Sequence, residues 1–182
     1  DSIYLIPLRI KSVSAYEINP DKRTVLYRVL LKNDYAFQSP VTTYQTRGLE
    51  EHFDAEKGKD IRKSFSLTRY VLPLTKNSIR CFVGLNSYDA SKLTKADIRK
   101  YAMCITINED ATLTITPMGT AQIEMLDKAG ESNYYTTYEK NNIKYQAFYL
   151  NYRYRLLKDG KDGSNGDADY DIWYTMEETM IR

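Results

Sequence analysis

Histidine, tryptophan and cysteine are nearly missing from this chain: one, one and two residues of the 182. Each scarcity closes off a class of chemistry. A single imidazole, His52, cannot supply the clustered ligands of a metal centre, and Cys81 and Cys104 lack the C-x-x-C spacing of a zinc or redox motif. A nucleophile–base pair would depend on that same His52, which lies in a charged stretch expected to be a solvated loop. The glycines of DGKDGSNG sit between strand patterns and open no helix, so they form neither a P-loop nor a dinucleotide fingerprint. No apolar run nears the ~20 residues of a membrane-spanning helix. Charge of one sign is not in excess, since 26 Lys and Arg against 24 Asp and Glu give a net charge of +2. That balance gives no footprint for nucleic acid and no polybasic membrane patch. The expectation is a protein that is not an enzyme and carries no cofactor and no metal.

Tyrosine is what the chain has in plenty, with 17 against 5 Phe. Half-buried strands favour it, and its amphipathic ring also stacks on sugars or partners. The clearest pattern is in the last forty residues. In YQAFYLNYRYRL, Phe148, Leu150, Tyr152, Tyr154 and Leu156 alternate with Ala147, Tyr149, Asn151, Arg153 and Arg155, which is the period of a strand with one dry face. YDIWYTMEETMIR repeats it, with Ile172, Tyr174, Met176 and Met180 on one side and Trp173, Thr175, Glu177 and Thr179 on the other. Phe148, Leu150, Tyr152, Ile172, Tyr174 and Met176 are therefore expected to be buried, and Arg153, Arg155 and Glu177 not. Strands this long belong to barrels and large antiparallel sheets.

Upstream, YLIPLRI and TVLYRVLL form a hairpin around Asn19-Pro20-Asp21, with Pro7 marking an edge or a bulge. VTTYQTRGLEEH reads as a strand ending at Gly48, and EEHFDAEKGKDIRK as an exposed loop. SLTRYVLPLT and SIRCFVGL make a second hairpin around Lys76-Asn77. SKLTKADIRKYA is the one helix, near 91–101, capped by Ser91 and carrying Leu93, Ile98 and Tyr101 on its apolar stripe. MCITIN, ATLTITP, AQIEML and SNYYTTYE follow as strands, bringing the count to about eight after residue 40. Cys81 shares parity with Ile79, Val83 and Leu85 and reads as a buried small apolar residue, while Cys104 has the opposite parity to Met103 and Ile105. Both are expected to be free thiols.

The phrases TRYVLPLT and SIRCFVG, with the ending FYLNYRYRL…DYDIWYTMEETMIR, resemble the C-terminal domain of Bacteroidales surface lipoproteins encoded beside polysaccharide-utilisation systems. In that family an N-terminal immunoglobulin-like domain of unknown function precedes a lipocalin-like β-barrel. YLIPLRIKSVS…NPDKRTVLYRVLL is similar to the last two strands of the N-terminal sandwich. The resemblance implies an all-β chain with residues 1–33 as a two-stranded remnant and 34–182 as an antiparallel barrel with one short helix. It carries no catalytic residues. It implies a place at the cell outer membrane, facing outward, held by a lipid anchor outside this chain. The opening on Asp1-Ser2, without a leader, reads as that of a processed or engineered fragment.

The expected function is a non-catalytic module that binds glycan in support of polysaccharide capture, with outer-membrane uptake proteins as further partners. Trp173, Tyr149 and Tyr135 are the expected contacts, because aromatic faces stack on the C–H face of a sugar. The other reading is a structural, adhesin-like subunit of an outer-membrane complex, using the same aromatics as a protein interface. A barrel enclosing a small apolar ligand is disfavoured by the many large inward side chains. Glu178 has inward parity, so its carboxylate needs a buried partner, with Arg69, Arg80 or a Tyr hydroxyl as candidates. It is also the one acid from which a glycosidase pair could be built. Asp159, Asp162, Asn165, Asp167 and Asp169 offer hard oxygens to calcium, but the EF-hand pattern fails and a mobile hairpin loop is expected instead.

Overall fold

A computed structural model describes residues 4–86, 94–127 and 131–182. The chain divides into two compact units, Asp1–Leu31 and Lys32–Arg182. The first is a two-stranded antiparallel sheet of β1 (Tyr4–Arg9) and β2 (Thr24–Val29), with Pro7 opposite Leu26. A ribbon of two strands has only edges, so proline disrupts no central ladder. The Asn19 carboxamide accepts from the amide of Asp21 at 2.9 Å and sets the turn.

Among the described residues the second unit holds nine strands, one α-helix and a short 3-10 helix at Gly166–Asp169: β3 (Thr42–Asp54), β4 (Lys59–Thr75), β5 (Ser78–Phe82), α1 (Lys95–Tyr101), β6 (Ala102–Ile107), β7 (Leu113–Pro117), β8 (Gln122–Met125), β9 (Tyr134–Lys140), β10 (Ile143–Arg155) and β11 (Tyr174–Ile181). The strands form one antiparallel sheet in the order β7-β6-β5-β4-β3-β11-β10-β8, with β9 also on β10. The ends come together where Leu113 donates to the Asn133 carbonyl and Tyr135 to that of Ala111, both at 2.8 Å. The result is a nearly closed antiparallel barrel, as the strand patterning and the resemblance implied.

The alternating residues fill its interior. Tyr44, Val71, Ile79, Cys81, Met103, Ile105, Ile115, Phe148, Leu150, Tyr152, Met176 and Met180 make one buried cluster. Burying side chains of this size contributes about 1.5–3 kcal/mol each, which is what closes the sheet on itself. The expected inward set holds for Phe148, Leu150, Tyr152 and Met176, with Tyr174 half-buried. It fails at Ile172, which is 47 % exposed. β11 starts only at Tyr174, because the preceding segment is tied to the loop by Asp171 donating to the Leu156 carbonyl at 2.9 Å. Arg155 is the second correction: only 9 % exposed, its guanidinium is covered by aromatic rings and bonded to Gln122 and Asp167.

Three element boundaries also differ from expectation. β3 does not end at Gly48 but runs through it, since Gly48 lies opposite Glu178 and a Cβ there would stand 2.1 Å from the Glu177 carbonyl oxygen. The charged stretch after it is the tip of the β3–β4 hairpin, paired out to Asp54 opposite Lys59. Beyond Glu50 the ribbon buries no side chain, so it needs no apolar period and its charges disguised it as a loop. The turn is set by Asp54, whose carboxylate accepts from the amides of Glu56 and Lys57 and pairs with Lys57 Nζ at 2.7 Å. The helix is capped by Thr94 rather than Ser91, in a reciprocal capping box with Asp97. Ser91 and Leu93 lie outside the described residues, while Ile98 and Tyr101 pack on Leu72, Phe82 and Ala102 as expected. Cys81 is buried and Cys104 half-buried, both as free thiols.

Asn133 performs a role no pattern announced. β10 pairs with β9 up to Tyr149 and with β8 from Tyr152 onward, leaving Asn151 without a strand partner on that edge. The Asn133 carboxamide fills the gap, accepting from Asn151 N at 2.9 Å and donating to Asn151 O at 3.1 Å and Leu126 O at 2.8 Å. A side-chain amide thus substitutes for a missing peptide, and Asn133 adopts φ 58° to place it.

Candidate functional site: an outer tyrosine groove

Inside the barrel, the buried acid finds the partners its parity required. Arg69 Nη2 lies 2.6 Å from Glu178 Oε2, and the Tyr152 hydroxyl donates to Oε1 at 3.0 Å. Arg69 also donates to the carbonyls of Phe82 and Gly84, and the Gly84 amide donates to the Tyr152 hydroxyl at 3.0 Å. Burial alone would lower the Arg69 guanidinium, but the neighbouring Glu178 outweighs it and the group is held above its ordinary value. Burial, then the Glu178 charge, raise the Tyr152 hydroxyl. The two charged side chains are 1 % and 0 % exposed and both carboxylate oxygens are engaged, so this cluster holds β4, β10 and β11 together.

Outside, alternation delivers a second set of side chains in register. The ladder lines up Tyr134, Tyr149, Thr179, Arg47 and Ser66 across β9, β10, β11, β3 and β4. The next rung carries Thr136, Ala147, Ile181, Gln45 and Thr68, and beyond it stand Tyr138 and Tyr145. Tyr134 stacks on Tyr149 with centroids 4.6 Å apart and planes 16° from parallel, and Tyr138 stacks on Tyr145 at 5.3 Å and 15°. A groove of about 300 Å³ opens beside the second pair, lined by Gln45, Arg47, Ser66, Tyr138, Lys140 and Tyr145. That volume is at the lower end of the roughly 300–1,000 Å³ of small-molecule sites. Near-parallel rings beside an amide, a hydroxyl and two cations provide both a stacking wall and hydrogen-bonding groups.

Of the residues expected to make the site, only Tyr149 belongs to this face. Tyr135 points inward, because it sits opposite Phe148 in the ladder and packs edge-on against Tyr35 at 5.1 Å. In SNYYTTYE only one of two adjacent tyrosines can face out, and it is Tyr134. Trp173 precedes β11 and is half-buried under arginines, with the guanidinium carbons of Arg153 and Arg155 each 4.6 Å from its ring centroid. Glu124 holds Arg153 at 2.5 Å, and Asp167 with Gln122 holds Arg155, so the indole is occupied by a cation–π cluster. Gln45, Arg47, Ser66, Lys140 and Tyr145 were missed. The alternation in VTTYQTRG marks Gln45 and Arg47 as outward, but only the cross-strand register reveals that they meet Tyr138 and Tyr145.

The remaining candidates are structural. His52 lies in β3, not in a loop, and rests against Tyr174 with ring centroids 5.1 Å apart. The acids of the 159–169 loop are engaged separately: Asp159 with Lys100, Asp162 with the Ser164 amide, Asp167 with Arg155, and Asp169 with Asn165 and Lys161. Among the described residues, no group of three or more His, Cys, Asp or Glu is placed to hold a metal ion. No helix among them is long and apolar enough to cross a membrane.

A nearly closed barrel whose inside is packed with side chains, and whose concave polar–aromatic surface lies on the outside of the sheet, defines the class: a β-barrel domain with an external groove. A family model described as "-like, C-terminal" matches residues 23–181, and the chain belongs to that family of C-terminal domains. A solved structure of unknown function from Bacteroides ovatus is 18% identical with a TM-score of 0.59, covering 98% of this chain and 57% of its own. An auxiliary nutrient binding protein from Bacteroides thetaiotaomicron is 16% identical, TM-score 0.51, covering 98% and 56%. A multidomain protein including DUF1735 from Bacteroides ovatus is 15% identical, TM-score 0.53, covering 87% and 53%. At such identities the likeness is one of fold, and the chain spans little more than half the length of these proteins. No curated protein matches.

Proposed function

We propose that this chain is a non-catalytic glycan-binding module that supports nutrient capture at the bacterial cell surface. The stacked Tyr138–Tyr145 pair beside the Gln45–Arg47–Ser66 groove carries the reading. A pyranose presents an apolar C–H face to an aromatic ring and hydroxyls at its rim, and the groove offers both kinds of partner. One relative in fold is described as an auxiliary nutrient binding protein, which agrees with an uptake role. The lipocalin-like barrel, the lipid anchor and the immunoglobulin-like origin of the first strands belong to the same proposal and rest on the resemblance.

Affinity electrophoresis through a panel of soluble polysaccharides tests it. At least one polymer retards the wild-type chain, and Tyr145→Ala abolishes the retardation while leaving the far-UV spectrum unchanged. Retardation that survives Tyr145→Ala and Tyr138→Ala refutes the site. A panel with no retardation, together with recovery of an envelope protein that Tyr145→Ala releases, replaces the reading with an adhesin-like one.

A further inference from the structure

Resting on that groove, we infer that the ligand is an acidic glycan, one that presents a carboxylate or sulfate to Arg47 and Lys140. The lining of the groove carries the inference, because it joins two cations and no carboxylate to a stacked tyrosine pair. The chain is nearly balanced in charge, with 26 basic and 24 acidic residues, and several cations elsewhere on the barrel surface are held by acids. Arg62 lies 3.8 Å from Glu51, Arg153 2.5 Å from Glu124, Lys57 2.7 Å from Asp54 and Lys100 2.5 Å from Asp159, and Arg155 meets Asp167. Arg47 and Lys140 make no such pair with any described residue. The other lining residues of their groove, Gln45, Thr46, Ser66, Tyr138, Tyr145 and Ile181, contribute no carboxylate. The ladder neighbours of Arg47 are Thr179 on β11 and Ser66 on β4, both uncharged.

Two unpaired cations beside a stacked aromatic pair favour a ring that carries negative charge. The guanidinium fork of Arg47 matches the two oxygens of a carboxylate or sulfate, and Lys140 adds a point charge at the same opening. A neutral sugar would gain the stacking but leave both cations solvated only by water. A second groove of about 330 Å³ on the same sheet face has the opposite character. Its lining sets Glu51, Asp127 and Glu177 against the single cation Arg62, so an acidic chain is directed to the tyrosine end.

The test is affinity electrophoresis of the whole chain through polygalacturonate, dextran sulfate and neutral dextran. One of the acidic polymers retards the wild type more than dextran does, and which of them does so separates carboxylate from sulfate. Arg47→Ala weakens that binding about tenfold, the value of one charge-assisted hydrogen bond. Lys140→Ala weakens it in the same direction and serves as the second variant. Lys76→Ala, which removes the same charge from the exposed β4–β5 turn, leaves binding unchanged. Equal weakening by Lys76→Ala exposes general polyelectrolyte attraction and overturns the inference. Dextran binding that matches the acidic polymers and is unaffected by Arg47→Ala overturns it too, while leaving the glycan reading intact. If none of the three binds while a neutral polymer of the wider panel does, the acidic inference falls and the glycan reading stands; if the whole panel is blank, both fall.

Discussion

Replacing Glu178 by glutamine keeps the shape of the side chain and removes its charge, which isolates what the buried ion pair does for the barrel. In the wild type the Arg69 guanidinium is fully enclosed and faces Glu178 at 2.6 Å, with the carbonyls of Phe82 and Gly84 as its other acceptors. Glutamine retains one acceptor oxygen but places an amide donor among donors, and the Arg69 charge loses its counterion in a medium of low dielectric. Leaving one member of a buried pair uncompensated costs about 3–5 kcal/mol. The lower figure suits this variant, because two backbone acceptors remain. At about 2–4 °C per kcal/mol for a chain of this size, the melting temperature falls by about 9 °C. Urea denaturation followed by tryptophan fluorescence gives the free energy, since Trp173 is the only indole. The double variant Glu178→Leu, Arg69→Met removes both charges, and its loss is smaller than the sum of the two single losses. A Glu178→Gln variant within about 1 kcal/mol of wild type, or additive losses in the cycle, refutes the claim that the pair is energetically one unit.

Gly48→Ala pushes a Cβ to within 2.1 Å of the Glu177 carbonyl oxygen, and since backbone cannot swing aside it costs about 3 kcal/mol, read from the urea midpoint. Trp173→Ala leaves glycan retardation unchanged but loses about 1–2 kcal/mol of stability through two cation–π contacts, and a loss of binding would restore the indole to the site. Glu50 is raised from its usual 4.5, by burial first and against the lowering pull of His52 and Lys63. A carboxyl raised on folding favours the native state below its unfolded value and loses that contribution as pH rises through its folded value. The melting-temperature difference between Glu50→Gln and wild type therefore grows in the variant's favour as pH climbs from about 4.5 towards neutral, and a flat difference contradicts it.

Alternation made the barrel legible. Phe148, Leu150 and Tyr152, set against Tyr149 and Arg153, announce both faces of β10, and inward Glu178 demanded a cation that proved to be Arg69. Where the period lost its meaning the reading slipped. The hairpin tip at residues 51–63 has no buried side chain, and at Ile172 the pattern continues past the last ladder bond. The groove was harder still. Gln45, Arg47, Ser66 and Tyr145 are brought together by register across four neighbouring strands, which depends on the close approach at Gly48 rather than on any local run. Arg155 and Trp173 show the complementary limit: outward parity does not mean exposure when loop residues Asp167 and Tyr170 fold over the strand.

The groove's construction on the outer parity has a consequence for how such a domain diversifies. Thr46 is buried while its neighbours Gln45 and Arg47 are exposed, and on β11 Glu178 and Met180 are buried on either side of Thr179. Each strand therefore carries two interleaved vocabularies, one addressed to the core and one to the outer surface, and a substitution in one leaves the other's words in place. Gly48 is the point where they touch, for it is the outer residue's neighbour and also the contact that lets β3 approach β11. On the glycan reading proposed above, residues 45, 47, 66, 138, 140 and 145 are the ones a relative would rewrite for a new ligand while the barrel beneath keeps its grammar.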